Sequence, residues 1–148
     1  MKTVILIVHI AAAAMILGAS LGWGRFLRQA AEAGQAAARV AIEDVSRRLL
    51  LVRVGSMMTL FTGIALIFVS GGFAIVPKNY HIALTVMLAG VGWVFLGVVP
   101  KVKALGQVAS ASEFDRATFG RKVGKLGMAT GIVHGLWLVL SVLMFVRL

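Results

Sequence analysis

The chain has 148 residues, 60% of them apolar and 14% charged, with a formal charge of +10 and no cysteine. Soluble domains average roughly 45–50% apolar and about 25% charged residues, so the composition excludes a soluble enzyme. The missing cysteines exclude disulfides, thiolate nucleophiles and cysteine metal sites, and the length suits a single membrane domain, 1–148.

Four segments are almost free of charge: 3–24, 54–76, 81–99 and 126–146. Each has the length of about 20 residues that crosses a hydrocarbon core of roughly 30 Å. In lipid every backbone group must be satisfied within the protein, and continuous apolar runs do so as helices. The first segment also has the look of a signal peptide, with Lys2 ahead of it and small residues at Gly18–Ala19–Ser20. One cation before the run and six after it argue against cleavage, so the segment is read as a mature helix. Within it His9 is followed at helical spacing by Ala12, Ala13, Ile16, Ser20 and Trp23.

The connection 25–53 is rich in Ala, Arg, Glu and Gln, which favour helix. It reads as an extension of the first helix, a turn near Gly34 and a lead-in to the second. A solvated helical hairpin is the simpler description, and a docking surface the functional one. The second span carries Met57 and Met58, and Pro77 stands just past it, opening a short turn before His81 and the third span. Pro100 stands past the third span, where a proline is expected to end a helix rather than kink it. In the connection 100–125, Ser110-x-x-Glu113 fits a capping box and Ser112-x-x-Asp115 a looser variant, predicting a helix that starts there and runs to Val146. Gly120, Gly124, Gly127, Gly131 and Gly135 keep close to one stripe of that helix. Such a stripe permits close approach of another backbone or of a flat ligand.

The fifteen cations divide unequally. Arg25, Arg28, Arg39, Arg47, Arg48 and Arg53 lie in the first connection, and Lys101, Lys103, Arg116, Arg121, Lys122 and Lys125 in the third. Only Lys2, Lys78 and Arg147 fall on the other side, and all five acids accompany the twelve. The positive-inside rule places both long connections in the cytoplasm of a bacterial inner membrane. The expected fold is therefore all-α, an integral membrane four-helix bundle with both termini on the outer, periplasmic side. The charge is then a topology signal helped by anionic lipid headgroups, and no nucleic-acid partner is expected.

Three histidines occur, each in or at a span, and none in the long connections. An ionisable residue inside the bilayer is costly and is a functional hypothesis by default. By helical rise, His9 lies about 9–10 Å from the outer end of its helix and His134 about 18 Å from the outer end of the fourth, while His81 opens the third. His134 shares the glycine stripe. Imidazoles flanked by small residues leave room for a macrocycle, and neutral imidazole is a common haem ligand, so His9, His81 and His134 are candidate ligands to haem iron. The depth differences of roughly 7–8 Å between His9 and either of the others leave both pairs open. The competing reading is interhelical hydrogen bonding by His9 and His134, with His81 an interfacial residue. No acid lies within a span to complete a metal-only site. Met57, Met58, Met87 and Met128 are read as gap-fillers, and Trp23, Trp93 and Trp137 as belt or packing residues. Arg25 is a candidate partner for a haem propionate, a quinone or a lipid headgroup, or else a snorkelling anchor.

Several of these features together resemble the small four-helix membrane proteins of the HemJ-type protoporphyrinogen oxidase and CopD-like group. They are His9 followed sixteen residues later by Arg25 in Trp23-Gly24-Arg25-Phe26, and Arg47-Arg48-Leu49-Leu50 leading into Met57-Met58-Thr59-Leu60-Phe61-Thr62-Gly63. His81-Ile82-Ala83-Leu84 completes the set. The resemblance implies haem binding and activity through the helix-one histidine, His9. The family's helix-three lysine position holds His81, and its Asn-Glu-Pro-like element before helix four is replaced by Gly124-Lys125-Leu126-Gly127-Met128. The expectation is a b-type haem protein moving electrons with quinone, alone, as a homo-oligomer or as a subunit of a larger membrane redox complex. The alternatives are a tetrapyrrole oxidase of the resembled type and a non-redox structural or copper-handling subunit.

Overall fold

The computed structural model describes residues 1–145; Val146, at the end of the fourth expected span, and Arg147 lie outside the described residues. The helices are α1 (Lys2–Ser20), α2 (Trp23–Ala33), α3 (Gln35–Val69), α4 (Lys78–Trp93), α5 (Val99–Ala109) and α6 (Arg116–Phe145). A π-helical turn, Val94–Val98, joins α4 to α5, and no strand occurs among the described residues. They form four rods, Lys2–Ala33, Gln35–Val69, Lys78–Ala109 and Arg116–Met144, each long and apolar enough to cross a membrane. The chain is thus an all-helical bundle of the multi-pass membrane type.

Rods of 29–35 residues exceed what a bilayer needs. At 1.5 Å per residue they run roughly 44–52 Å against a hydrocarbon core of about 30 Å, so each rod continues well beyond the apolar slab. The surplus lies at the cation-rich end, and most of the buried core lies there too. Leu27 and Ala31 of α2, Val45 and Leu49 of α3, Leu105 of α5, and Phe119 and Val123 of α6 are buried together. A smaller cluster, Leu60, Ala83, Met87 and Leu140, serves the opposite half. Water drives apolar side chains inward at the polar end, whereas lipid is as apolar as Leu and gives no such drive. The connections 25–53 and 100–125 are accordingly helical and packed against one another, so the first is more than a helical hairpin that only faces solvent.

Four junctions set the rods' geometry. The turn at Gly34 is where the sequence puts it, and its φ of 112° needs a residue without Cβ. An unforeseen break separates α1 from α2 at Leu21–Gly22, with Leu21 extended and Gly22 at φ 79°, so the first rod is not one continuous helix. Pro100 does not end the third rod. The proline lacks the N–H that would bond the carbonyl four residues back, and the preceding turn has widened so that Val99 N–H bonds Val94 O. The ammonium of Lys101 donates to the Gly97 carbonyl at 2.8 Å, and helix runs on to Ala109. The fourth rod begins at Arg116, later than either serine motif predicts. Its cap is Asp115, whose carboxylate accepts from the Thr118 N–H at 3.0 Å and from the Thr118 hydroxyl. Ser110 instead closes α5.

Side chains also tie the connections together. Gln35 Nε2 donates to the carbonyls of Ala109 and Ala111 at 3.1 and 2.7 Å, and Arg39 Nε to Ala109 at 2.7 Å. These donors meet the unpaired carbonyls at the α5 C-terminus, where the helix dipole favours a cation.

Candidate functional site

The antiparallel pair α1–α3 holds the first histidine. Gly55 lets the two backbones touch: a Cβ there would lie 2.9 Å from Ile16 Cγ1 and 3.0 Å from the Ala12 carbonyl oxygen. Two turns further along α3, His9 reaches across, its Nδ1 2.9 Å from Thr62 Oγ1. The Thr62 hydroxyl donates to the Met58 carbonyl at 2.6 Å, so its oxygen accepts and His9 Nδ1 carries the hydrogen. Gly63 makes room for the ring, since a Cβ there would stand 3.2 Å from His9 Cε1.

His134 repeats the arrangement at the other end of α1. Its Nε2 lies 2.8 Å from Ser20 Oγ, and Ser20 donates to the Ile16 carbonyl at 2.7 Å, so His134 Nε2–H is the donor. Ser20 is buried at 3% exposure, directly before the break between α1 and α2. The two deep histidines therefore each close a helix pair, α1–α3 and α1–α6. His81 does neither. It is exposed at the start of α4, with its ring 5.9 Å from Phe73, which in turn meets Phe68 edge-on.

The three imidazoles do not converge. His9 and Ser20 are eleven residues apart on α1, so the two imidazole contacts are separated by roughly 16 Å along that helix. His81 rests on Phe73, beyond the end of α3 at Val69, while His9 meets α3 at Thr62, a further 10 Å or so by helical rise. Two nitrogens on one iron must lie within a few ångströms of each other. The bis-histidine sites expected from His9 with His81, or His9 with His134, do not fit this arrangement. The Thr62 bond sets the His9 tautomer with the hydrogen on Nδ1, so a haem held by one imidazole of this chain would be held through His9 Nε2.

Arg25 is exposed on α2 and makes no ion pair among the described residues, the two ion pairs there being Arg47–Glu43 and Arg48–Asp44. Met87 is buried in the smaller cluster, whereas Met58 and Met128 face outward. Trp23 is part of the larger core rather than an interfacial belt, and Trp93 Nε1 donates to the Ala129 carbonyl at 3.0 Å. A cleft among α3, α4 and α6, lined by Ser56, Met87, Trp137 and Leu140, measures about 10 Å³. That is room for one water and not for a macrocycle.

The glycine stripe of α6 has a different outcome from close packing within the chain. A Cβ at Gly120, Gly124, Gly127, Gly131 or Gly135 would meet nothing within 4 Å. No role is legible in the sequence for Thr62, the acceptor for His9, or for Asn79, which joins two helices away from the histidines. Asn79, 3% exposed, ties α4 to α6 through Nδ2 and the Leu143 carbonyl at 2.9 Å. Hydroxyls are common in membrane helices because they satisfy themselves on the preceding turn, so nothing in the sequence marks Thr62 above Thr59 or Thr130. Comparison with protein families, characterised proteins and solved structures finds no match for this chain.

Proposed function

We propose that this chain is a multi-pass, non-redox structural subunit of a bacterial inner-membrane assembly, its cation-rich end in the cytoplasm and both termini on the periplasmic side. Its deep histidines close helix pairs. The observation that carries this reading is that each deep imidazole is hydrogen-bonded to a hydroxyl on a neighbouring helix, His9 to Thr62 and His134 to Ser20. Such bonds hold membrane helices together where the hydrophobic effect does not. The open glycine face of α6 supports the assembly part of the reading, since small residues let a further membrane helix approach closely.

A haem b reading keeps one specific support, the His9 tautomer with its hydrogen on Nδ1. His9 would then be the iron ligand from this chain, and the haem would supply one-electron exchange with a membrane quinone. The second ligand, or none, would come from outside the chain.

One measurement separates the two. The visible spectrum of the detergent-purified chain is recorded before and after dithionite, for wild type and for His9→Ala. The structural reading expects a colourless protein, migrating with partners in mild detergent at a size above the 15.7 kDa monomer. A Soret band that disappears in His9→Ala would overturn it in favour of the haem reading.

A further inference from the structure

The two halves of the polar bundle are not equally charged. Helices α2 and α3 carry Arg25, Arg28, Arg39, Arg47, Arg48 and Arg53 together with Glu32, Glu43 and Asp44, and two of the arginines are paired with acids. Helices α5 and α6 carry Lys101, Lys103, Arg116, Arg121, Lys122 and Lys125, and no acid at all. The two acids between them, Glu113 and Asp115, stand at the far tip, and Asp115 is occupied as a cap. A charge bias toward one side of the membrane is what topology requires. A bias toward one face of the bundle is more than topology requires.

On that face the cations lie at a defined depth. The bonds Trp93–Ala129 and Asn79–Leu143 set one antiparallel register between the third and fourth rods. In that register Gly97 stands about level with Lys125, and Lys101 with Arg121. The Lys101 side chain is folded back toward the apolar slab, its ammonium 2.8 Å from the Gly97 carbonyl and 5.8 Å above the Trp93 ring. This contact uses one of its three N–H donors and leaves two for an incoming oxyanion. Immediately on the membrane side stand two outward-facing apolar side chains, Leu96 at 81% and Met128 at 72% exposure. Cations with donors to spare, an interfacial indole and bare apolar residues follow one another along the membrane normal in the order of a phospholipid's own parts.

We propose that the α5–α6 face seats an anionic glycerophospholipid. Lys101 and Lys125 hold its phosphate, and Leu96 and Met128 lie against its acyl chains. The exposed apolar pair favours a lipid over a free anion or a soluble acidic peptide, neither of which would cover it. This inference is independent of what the histidines do.

The test is native mass spectrometry of the full-length chain in detergent with added phosphatidylglycerol or phosphatidylcholine at equal concentration. Wild type should retain the anionic lipid in clear preference. Lys101→Gln with Lys125→Gln should lose that preference by roughly fivefold per lysine. The charge-matched control, Arg28→Gln with Arg47→Gln, should keep it, and Lys101→Arg with Lys125→Arg should keep it as well. Far-ultraviolet circular dichroism checks that each variant remains helical. Equal retention of the two lipids, an equal loss in the charge-matched control, or displacement of the lipid by millimolar inorganic phosphate or by a poly-glutamate peptide would each overturn the proposal.

Discussion

At the scale of single residues, the chemistry of this protein lies in hydroxyls that both give and receive. Ser20 and Thr62 each donate to a carbonyl of their own helix and so present an oxygen lone pair to an imidazole on another. The bilayer offers neither group a water, which makes the pairings specific even where they contribute little energy. Measured interhelical hydrogen bonds in lipid average about 0.6 kcal/mol and reach about 1.7. Double-mutant cycles combining Thr62→Val with His9→Ala, and Ser20→Ala with His134→Ala, should return coupling energies in that range when read by reversible unfolding in detergent. Strictly additive single effects in both cycles would show that the imidazoles are not held by these hydroxyls. Glycines divide by the same local test. Gly55→Leu places new atoms against Ile16 and the Ala12 backbone and should separate α1 from α3, lowering the thermal midpoint in detergent sharply. Gly131→Leu meets open space and should leave the isolated chain's midpoint nearly unchanged.

At the scale of elements, the junctions matter more than the helices. The Asp115 carboxyl is held below its ordinary value, chiefly by the Thr118 hydroxyl and then by the Thr118 backbone N–H, despite full exposure. A depressed folded value means that the cap's contribution is fully present above the unfolded value of about 3.9 and is lost as the pH falls through the folded one. The start of α6 should therefore fray below about pH 4, seen as faster amide exchange at residues 116–119, and Asp115→Asn should remove that pH dependence. The third rod shows the opposite case, a helix that continues through a proline. The π turn Val94–Val98 accommodates the missing N–H, and the stacking of Trp93 over Gly97 depends on the absence of a Cβ, which would lie 2.8 Å from the indole.

At the scale of the whole molecule, one bundle serves two solvents. Among the described residues of the apolar segments, the rods are held by a few polar contacts and by close approaches at Gly55 and Gly63. Beyond those segments they bury Leu, Val and Phe as a water-soluble bundle does. The orientation proposed here predicts opposite labelling of two single-cysteine variants of this cysteine-free chain. In intact cells with a permeabilised outer membrane, an impermeant maleimide should modify Lys78→Cys, at the short turn, and spare Ala36→Cys, at the opposite end. The reverse pattern would invert the topology.

The helical class, the four crossing segments and the turn at Gly34 were legible in the sequence alone. Each follows from a constraint that acts on consecutive residues: backbone satisfaction in lipid, the cost of charge in hydrocarbon, and a backbone angle that suits glycine. The break at Gly22, the passage of helix through Pro100 and the choice of Asp115 over two serine motifs were not legible. In each of these the sequence offers more than one local solution: a glycine that can turn or continue, a proline that can stop a helix or be bypassed by a wider turn, and three competing caps. The folded chain shows which is used. The histidines make the same division. Their presence at membrane depth is a one-dimensional fact, but whether they face one another, a hydroxyl or lipid depends on how far each rod is slid along its neighbour. Only the tertiary structure sets that register, and it places His9 and His134 on Thr62 and Ser20, about 16 Å apart along α1, rather than on a common centre.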